Sequence, residues 1–360
     1  MSATATRAEG RGESAFVGMP WEGVARVLER ASGLDGLRSH RLHLLEAERL
    51  RELRRPIPDD LAVAEQSAVR GALLARALLS RVRDLCDGPI VVLKGPEVAA
   101  VYPSPWLRPY LDVDVLVPDV RDAERRLRGA GFEGVGAEMN WDALHHVQRL
   151  SAPGLLATIE LHRRPKWLPG GQAPTIDELL ADAAPSATGI DGLLAPSPAH
   201  HAVLLAAHAW AERPLGRLGD LVDVAAMRAR DSRRADELAR RHGIGRIWRA
   251  TLGASDGLFA HDRRTWPMRT WARHLDRAGE RTVVDAHLAR LLEPFVSRAP
   301  LQVPAALARA LAQTLLPHRG EGWPEKLDRT RKALRSAQAP VSDHLRSLEQ
   351  AEDHTDGDGR

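Results

Sequence analysis

Apolar and acidic residues alternate most clearly in the segment Tyr110-Leu111-Asp112-Val113-Asp114-Val115-Leu116-Val117. Successive side chains of a β-strand point to opposite faces, so this pattern predicts a strand with one apolar face. The side chains expected to enter the core are those of Leu111, Val113, Val115 and Val117. The carboxylates of Asp112 and Asp114 are then neighbours on the opposite face.

Two carboxylates placed in this way need a partner of opposite charge. Residues i and i+2 lie about 6–7 Å apart along a strand, and at an effective dielectric constant near 20 their repulsion is on the order of 2 kcal/mol. A strand this apolar is predicted to be central in its sheet, where an unpaired carboxylate is costly. The pair therefore indicates a bound cation, and ligation by oxygen alone favours Mg²⁺ or Mn²⁺ over zinc. The alternative is an edge strand with two solvated acids.

Two neighbouring segments suit a metal-dependent site. The segment 155–162 has the composition of a strand, and Glu160 is its one acid, so pairing beside the first strand would complete a cluster of three carboxylates. The β-branched segment 90–93 is followed by Lys94-Gly95 and by a helix predicted to begin at Pro96. A glycine lets the backbone approach a phosphate, and the free N–H groups of a helix start favour an anion. This order of elements is typical of a nucleotidyl transfer site.

These segments together resemble a known family. The sequence VVLKGPEVAAVYPSPWLRPYLDVDVLV (residues 91–117), followed by Ile-Glu-Leu-His at 159–162, is similar to the uncharacterised-nucleotidyltransferase family of the DNA polymerase β-like superfamily. The resemblance extends from about residue 61 to about residue 227. It implies an α+β fold, with a small mixed β-sheet nucleotidyltransferase core and flanking N- and C-terminal helical regions. It also implies an enzyme that moves a nucleoside monophosphate from a nucleoside triphosphate, expected to be ATP, to an acceptor.

The resemblance also implies roles for individual residues. Asp112 and Asp114 would hold two divalent ions, Mg²⁺ or Mn²⁺, on the triphosphate, and Glu160 would share the second ion. Lys94 and Arg108 would neutralise the departing pyrophosphate, while Gly95 would let the backbone approach the nucleotide. In the wider superfamily this glycine is usually followed by serine or glycine. Here the next residue is Pro96, which removes a hydroxyl and an N–H from the phosphate turn.

The acceptor is expected to bind on the side of the cleft opposite the phosphate turn. Candidate contacts are His162, His208 and Asp220, and His201 is predicted to share a helix face with His208 beside Trp210. The alternative for these residues is ordinary packing of the helical region on the sheet. An unidentified small molecule is the predicted acceptor. The alternatives are a peptide or protein acceptor in natural-product biosynthesis, or a catalytically silent member that binds only a nucleotide or a partner.

The pattern along the chain divides it into five segments. The predicted divisions are a disordered tail at 1–14, an N-terminal helical region at 15–86, a nucleotidyltransferase core at 87–195, a C-terminal helical region at 196–348 and an acidic disordered tail at 349–360. The single cysteine, Cys86, excludes an intrachain disulfide and a cysteine-rich metal site. A cytoplasmic location is expected because the first residues lack the apolar segment of a signal peptide.

Composition argues against some classes of partner. Hydrophobic residues make up 44% and charged residues 28% of the chain, which is the balance of a folded globular protein. The net charge is only +3 over 360 residues, so nucleic acid is not an expected partner. The arginine-rich segment 228–249 lacks interleaved aromatic residues and is interpreted as a solvated helical face. No apolar segment is suited to a membrane span.

Overall fold

The computed structural model describes residues 16–110, 112–135, 149–155, 157–168, 171–317 and 321–342. Within these residues the chain forms one mixed β-sheet with helices packed against it, which confirms the predicted α+β class. Leu111, one of the predicted core residues, lies outside the described residues, as do both predicted tails. The predicted division into regions stays a prediction.

The sheet has seven strands, in the spatial order β3-β4-β5-β2-β1-β7-β6. Their bounds are β1 Ile90–Val92, β2 Asp112–Leu116, β3 Glu133–Val135, β4 Arg149–Ser151, β5 Thr158–His162, β6 Ala184–Pro185 and β7 Leu193–Ala195. Strand β2 pairs in parallel with β5 and antiparallel to β1, so it is central, as its apolar character predicts. Strands β6 and β7 were not predicted, because neither segment shows a long run of β-branched residues.

Helices surround the sheet and form most of the described chain. Their bounds are α1 Trp21–Glu29, α2 Leu34–Ser39, α3 His43–Glu52, α4 Asp59–Leu85, α5 Pro96–Ala99, α6 Val120–Gly129, α7 Ile176–Ala181, α8 Pro198–Glu212, α9 Leu218–Arg228, α10 Ser232–Arg241, α11 Gly245–Phe259, α12 Trp266–Thr270, α13 Val283–Ser297, α14 Val303–Leu315 and α15 Trp323–Arg335. Among these helices, none combines the length and the apolar character that a membrane crossing requires.

One face of the sheet packs on α4 and α6. Val113, Val115 and Val117 are buried there together with Leu78 and Leu79 of α4, so the predicted apolar face of β2 is confirmed over its described residues. Not every apolar residue of α4 is buried against the sheet. Val69 and Leu73 are 41% and 66% exposed, because α4 is 27 residues long and its buried positions near the sheet begin at Ala75.

The other face of the sheet is covered by α7 and α8. Leu116 of β2 and Val91 of β1 pack there against Leu179 and Leu204. Because side chains alternate along β2, Asp112 and Asp114 point to this same face. Helices α8, α9 and α11 also share a large core with α1 and α3, so the helices before and after the sheet form one layer. The two acids thus face this helical layer.

Candidate active site

Pairing of β2 with β5 brings the predicted third carboxylate into position. Asp114 lies directly opposite Glu160, and Asp112 lies opposite Thr158. Residues opposite each other in adjacent strands point to the same face, so the carboxylates of Asp114 and Glu160 are neighbours. The predicted placement of Glu160 beside the acidic strand is therefore confirmed.

His162 completes this group from the same strand face. Its Nε2 lies 2.8 Å from Asp114 Oδ1 and 3.6 Å from Glu160 Oε2. One ligand atom from each of the three side chains lies within 4.8 Å of the other two, and all three side chains are buried. His162 is only 2% exposed and does not line the cleft described below. This position favours a role in orienting Asp114 over the predicted contact with an acceptor.

Arg149 is a further member of the site that the sequence analysis missed. It lies on β4, with Nε bonded to Glu160 Oε1 and Nη2 3.6 Å from Asp112 Oδ2. Half of its side chain is exposed, in contrast to the buried Asp114 and Glu160. The available signal was strand alternation, since buried Leu150 places Arg149 and Ser151 on the opposite face from itself.

The charges in this group stabilise its carboxylates in the ionised form. Burial opposes ionisation of Asp114, but Lys94 and the hydrogen bond from His162 outweigh it and hold the pKa of Asp114 far below its usual value. Burial likewise opposes ionisation of Glu160, yet hydrogen bonds from His162 and Arg149 lower its pKa to about 2. Burial lowers the pKa of Lys94, with Asp114 acting in the opposite direction. The site is a compact set of mutually compensating charges.

The predicted phosphate turn lies beside the carboxylates. Lys94 Nζ is 4.0 Å from Asp114 Oδ2. Gly95 has φ 68° and ψ −116°, and a Cβ there would lie 3.4 Å from the carbonyl oxygen of Asp112 and from Tyr110 Cδ2. A positive φ is strained for residues with a side chain, so glycine is required here by the backbone alone. As predicted, Pro96 is the first residue of the short helix α5.

Arg108 lines the cleft, but its guanidinium is largely engaged within the protein. Its Nε and Nη2 donate hydrogen bonds to the two carboxylate oxygens of Asp223, and each donor–acceptor distance is 2.8 Å. Tyr102 donates its hydroxyl to the same carboxylate at 2.7 Å, and all three residues are buried. This ion pair joins the segment before β2 to α9. Only the N–H groups of Arg108 that do not bond to Asp223 are available for the predicted contact with pyrophosphate.

Of the residues predicted on α8, His208 lines the cleft and the other two do not. The Nε2 of His201 donates a hydrogen bond to the carbonyl oxygen of Leu93 at 2.5 Å, so this residue fastens α8 to the end of β1. Trp210 is buried and donates its Nε1–H to Thr251 Oγ1 at 2.7 Å. His201 and Trp210 therefore follow the alternative of ordinary packing, while His208 lines the cleft as predicted.

His208 and Asp220 lie on the helical wall of the cleft. His208 Nε2 is 3.4 Å from Glu212 Oε1, and its pKa is well below the usual value, first because of burial and then because of Lys94. Burial, followed by the charge of Asp223, raises the pKa of Asp220. The imidazole of His208 is therefore neutral near pH 7, and its unprotonated nitrogen can accept a hydrogen bond.

The cleft between the sheet and the helical layer has a volume of about 240 Å³ and a mainly polar lining. Arg41 and Arg217 lie on its helical side and were not predicted from the sequence. Burial, then the proximity of Arg41, lowers the pKa of Arg217, which is the effect expected of two cations held close together. The lining residues are Arg41, Lys94, Gly95, Arg108, Tyr110, Asp112, Asp114, Arg149, Glu160, Leu205, His208, Ala209, Glu212, Arg217, Asp220 and Asp223.

The donor set fits a hard divalent cation. Asp112, Asp114 and Glu160 present carboxylate oxygens to the cleft, and oxygen is the ligand that Mg²⁺ and Mn²⁺ prefer. His162 holds one oxygen of Asp114, while the other faces Lys94. These contacts orient the carboxylate, as outer hydrogen bonds do for metal ligands.

The ion pair between Arg108 and Asp223 should contribute strongly to stability. Changing Asp223→Ala would leave a buried guanidinium without its counter-charge, and we expect the free energy of unfolding to fall by about 3–5 kcal/mol. The variant Tyr102→Phe removes one hydrogen bond but keeps the ion pair, so it should cost only about 1 kcal/mol. Urea denaturation of both variants measures the difference. Equal losses in the two variants would contradict a stabilising role for the ion pair.

Comparison with known proteins identifies the family of the chain. Residues 32–260, more than half of the chain, match the family described as "Uncharacterised nucleotidyltransferase". This match begins before and ends after the segment from about 61 to about 227 that resembles the family in the sequence analysis. No curated protein and no solved structure was found to match the chain. The chain belongs to the uncharacterised nucleotidyltransferase family, and the protein is therefore an enzyme of the transferase class.

Proposed function

We propose that this nucleotidyltransferase transfers a nucleoside monophosphate from a nucleoside triphosphate to a small-molecule acceptor in a reaction that depends on Mg²⁺ or Mn²⁺. The observation that carries the proposal is the register of β2 and β5, which places Asp114 beside Glu160 at the floor of a polar cleft. Asp112 lies two residues before Asp114 on β2, so its side chain is on the same face of the sheet. This arrangement supports membership of the DNA polymerase β-like superfamily, and ATP is the donor that we expect.

Three carboxylates would hold the metal. Asp112, Asp114 and Glu160 would supply its protein ligands, and His162 would keep Asp114 in a fixed orientation through their 2.8 Å hydrogen bond. Divalent ions at such a site stabilise the attacking and leaving oxygens of a displacement at phosphorus. The low pKa of Asp114 and Glu160 supports this role, because a ligand has to be ionised before it binds a cation.

Cationic side chains around the carboxylates would receive the phosphates. Lys94 lies at the phosphate turn, 4.0 Å from Asp114, where it can neutralise charge on a leaving pyrophosphate. Arg41 and Arg217 supply further positive charge from the helical wall. Two arginines held near each other with limited solvent suit an anionic ligand, since bound phosphates would relieve their mutual repulsion.

Arg149 would act as a counter-ion in the absence of metal. Its guanidinium contacts both Glu160 and Asp112, two of the proposed ligands. A cation in this position compensates the same carboxylates that the metal needs, so the two positive charges compete. The side chain is half exposed and can move away into solvent at little cost.

The first test is nucleotide binding by the variant Asp112→Asn/Asp114→Asn. Removing both charges should abolish binding of the Mn²⁺–ATP complex, measured by calorimetry, because the two amides are poor ligands for a divalent cation. The variant should keep the parent's fold by circular dichroism, since the amides keep the shape of the carboxylates, but it should melt at a lower temperature, because Lys94 and His162 lose the charge of Asp114. The control Asp191→Asn changes an exposed acid outside the cleft and should bind as the parent does.

The same proteins test transfer directly. The parent is incubated with each α-labelled triphosphate and Mg²⁺, with and without cell extract, and the products are separated by size. Label on a small molecule in the parent and the control, but not in the double variant, supports the proposal. Label on a peptide or protein favours a macromolecular acceptor. Equal nucleotide and Mn²⁺ binding by the double variant and the parent would place the site elsewhere, and binding without transfer to any acceptor would indicate a silent member.

A second prediction concerns Arg149. The change Arg149→Gln removes a positive charge that contacts two proposed ligands, so affinity for Mn²⁺ without nucleotide should increase about five-fold, or about 1 kcal/mol. Electron paramagnetic resonance of free Mn²⁺ measures this directly. The control Arg121→Gln removes an exposed charge on α6 and should leave affinity unchanged. Weaker Mn²⁺ binding by Arg149→Gln would refute the proposed competition.

A third prediction concerns acceptor selection by the helical wall. Once an acceptor is identified, His208→Ala and Asp220→Asn should raise its KM several-fold and leave the KM of the triphosphate unchanged. The physical reason is that both residues line the cleft on the wall formed by α8 and α9, across from the carboxylates. Steady-state kinetics measure both constants, and His261→Ala serves as the control because His261 is exposed outside the cleft. Parallel changes in both KM values would contradict the assignment.

A further inference from the structure

A second cluster of metal-ligating side chains lies outside the cleft. It consists of Glu178 on α7, His200 near the start of α8 and His242 directly after α10. One ligand atom from each residue lies within 4.8 Å of the other two. His200 precedes the cleft residue His208 by eight positions on α8, which is about 12 Å along the helix axis. The cluster is therefore separate from the proposed catalytic carboxylates.

The spacing of the cluster fits a small tetrahedral ion. Glu178 Oε1 lies 3.0 Å from His242 Nε2 and 3.7 Å from His200 Nε2. Ligands bound to zinc at about 2.0–2.1 Å in tetrahedral geometry lie about 3.3 Å from each other. The two observed distances lie on either side of this value, so small side-chain movements would bring the three atoms to one ion.

The hydrogen bonds around His242 leave its Nε2 available as a ligand. Its Nδ1 lies 3.0 Å from the carbonyl oxygen of Gln172 and must donate the proton of that bond. In a neutral imidazole the other nitrogen then carries a lone pair, which here points at a carboxylate oxygen of Glu178. Two acceptors facing each other at 3.0 Å require a cation or a proton between them. Metal-bound histidines characteristically donate their second nitrogen to a carbonyl in this way.

His200 provides an independent observation. Its side chain is 1% exposed, and within the described residues its Nε2 has no hydrogen-bond partner. A buried polar atom of this kind is costly unless something binds it. The opposite nitrogen, Nδ1, lies 3.0 Å from Ser197 Oγ and 3.7 Å from a carboxylate oxygen of Asp182, which is the outer arrangement that holds a ligating imidazole.

Among the described residues, Arg241 is the one lysine or arginine that contacts the Glu178 carboxylate and would compete there with a metal ion. Its Nη1 lies 3.3 Å from Glu178 Oε1. The side chain of Arg241 is 69% exposed, so the contact is weak and its loss would leave a solvated charge. A purely structural hydrogen-bond network would use Arg241 and His242 but would leave His200 Nε2 unexplained.

We propose that Glu178, His200 and His242 form a zinc site that joins α7, α8 and α10. Two imidazoles and one carboxylate are a donor set typical of Zn²⁺, and they differ in chemistry from the oxygen-only set proposed for Mg²⁺. Helix α7 follows β5 in the sheet region, while α8 and α10 belong to the helical layer. A bound ion, with water as its fourth ligand, would therefore fasten the helical wall of the cleft to the sheet region.

The test uses a background in which the carboxylate cluster is disabled. Since Asp114, Glu160 and His162 can also bind zinc, all proteins carry Asp114→Asn/Glu160→Gln. We expect this background protein to bind one Zn²⁺ per chain by elemental analysis after dialysis, and to give the visible spectrum of tetrahedral Co²⁺ after substitution. His242→Ala in this background should lose the ion and the spectrum, whereas His261→Ala, at an exposed histidine, should keep both.

A conservative variant guards against misfolding. Glu178→Gln keeps the size and hydrogen-bonding capacity of the side chain, so it should fold, yet bind zinc at least ten-fold more weakly. Addition of Zn²⁺ should raise the melting temperature of the background protein and that of His261→Ala, but not that of Glu178→Gln. No zinc in the background protein, or equal zinc binding by His242→Ala and His261→Ala, would overturn the proposal.

Discussion

The parallel pairing of β2 with β5 is the constraint on which the site depends. It places Asp114 directly opposite Glu160 in the middle of the sheet, where both side chains are buried. Two carboxylates in this position repel each other and lose hydration, so the fold has to supply positive charge or hydrogen bonds nearby. The residues around the two carboxylates provide these groups, and the metal ion that we propose would add further positive charge.

The compensating groups come from separate elements. His162 is on β5 itself, Lys94 is at the end of β1, and Arg149 is on β4. His162 and Lys94 are enclosed and therefore hold Asp114 in place, whereas Arg149 is half exposed. Buried groups therefore hold the orientation of Asp114, whereas under the proposed function the half-exposed Arg149 would compensate Asp112 and Glu160 only until a metal ion binds.

Helix α8 connects the sheet to the wall of the cleft. His201 fastens it to the carbonyl of Leu93, directly before the phosphate turn, and His208 faces the cleft two turns later. The ion pair of Arg108 with Asp223 makes a second connection, from the segment before β2 to α9. Buried polar contacts of this kind have strict geometry, so they fix the distance between the carboxylates and the opposite wall.

Local pattern alone predicted the strand with its buried valines, the paired acids Asp112 and Asp114 and the glycine turn, whereas the α+β class came from the resemblance to a known family. The strand, the acids and the turn follow from strand alternation and from the restricted backbone of turns, both of which depend on neighbouring residues. The sequence also suggested Glu160, but only strand pairing could place it opposite Asp114. Arg149, the bond of Arg108 to Asp223 and the burial of His162 were decided by tertiary structure, because each joins residues that are distant in the chain. A contact between distant segments depends on register and packing, and these leave no periodic signal in the sequence.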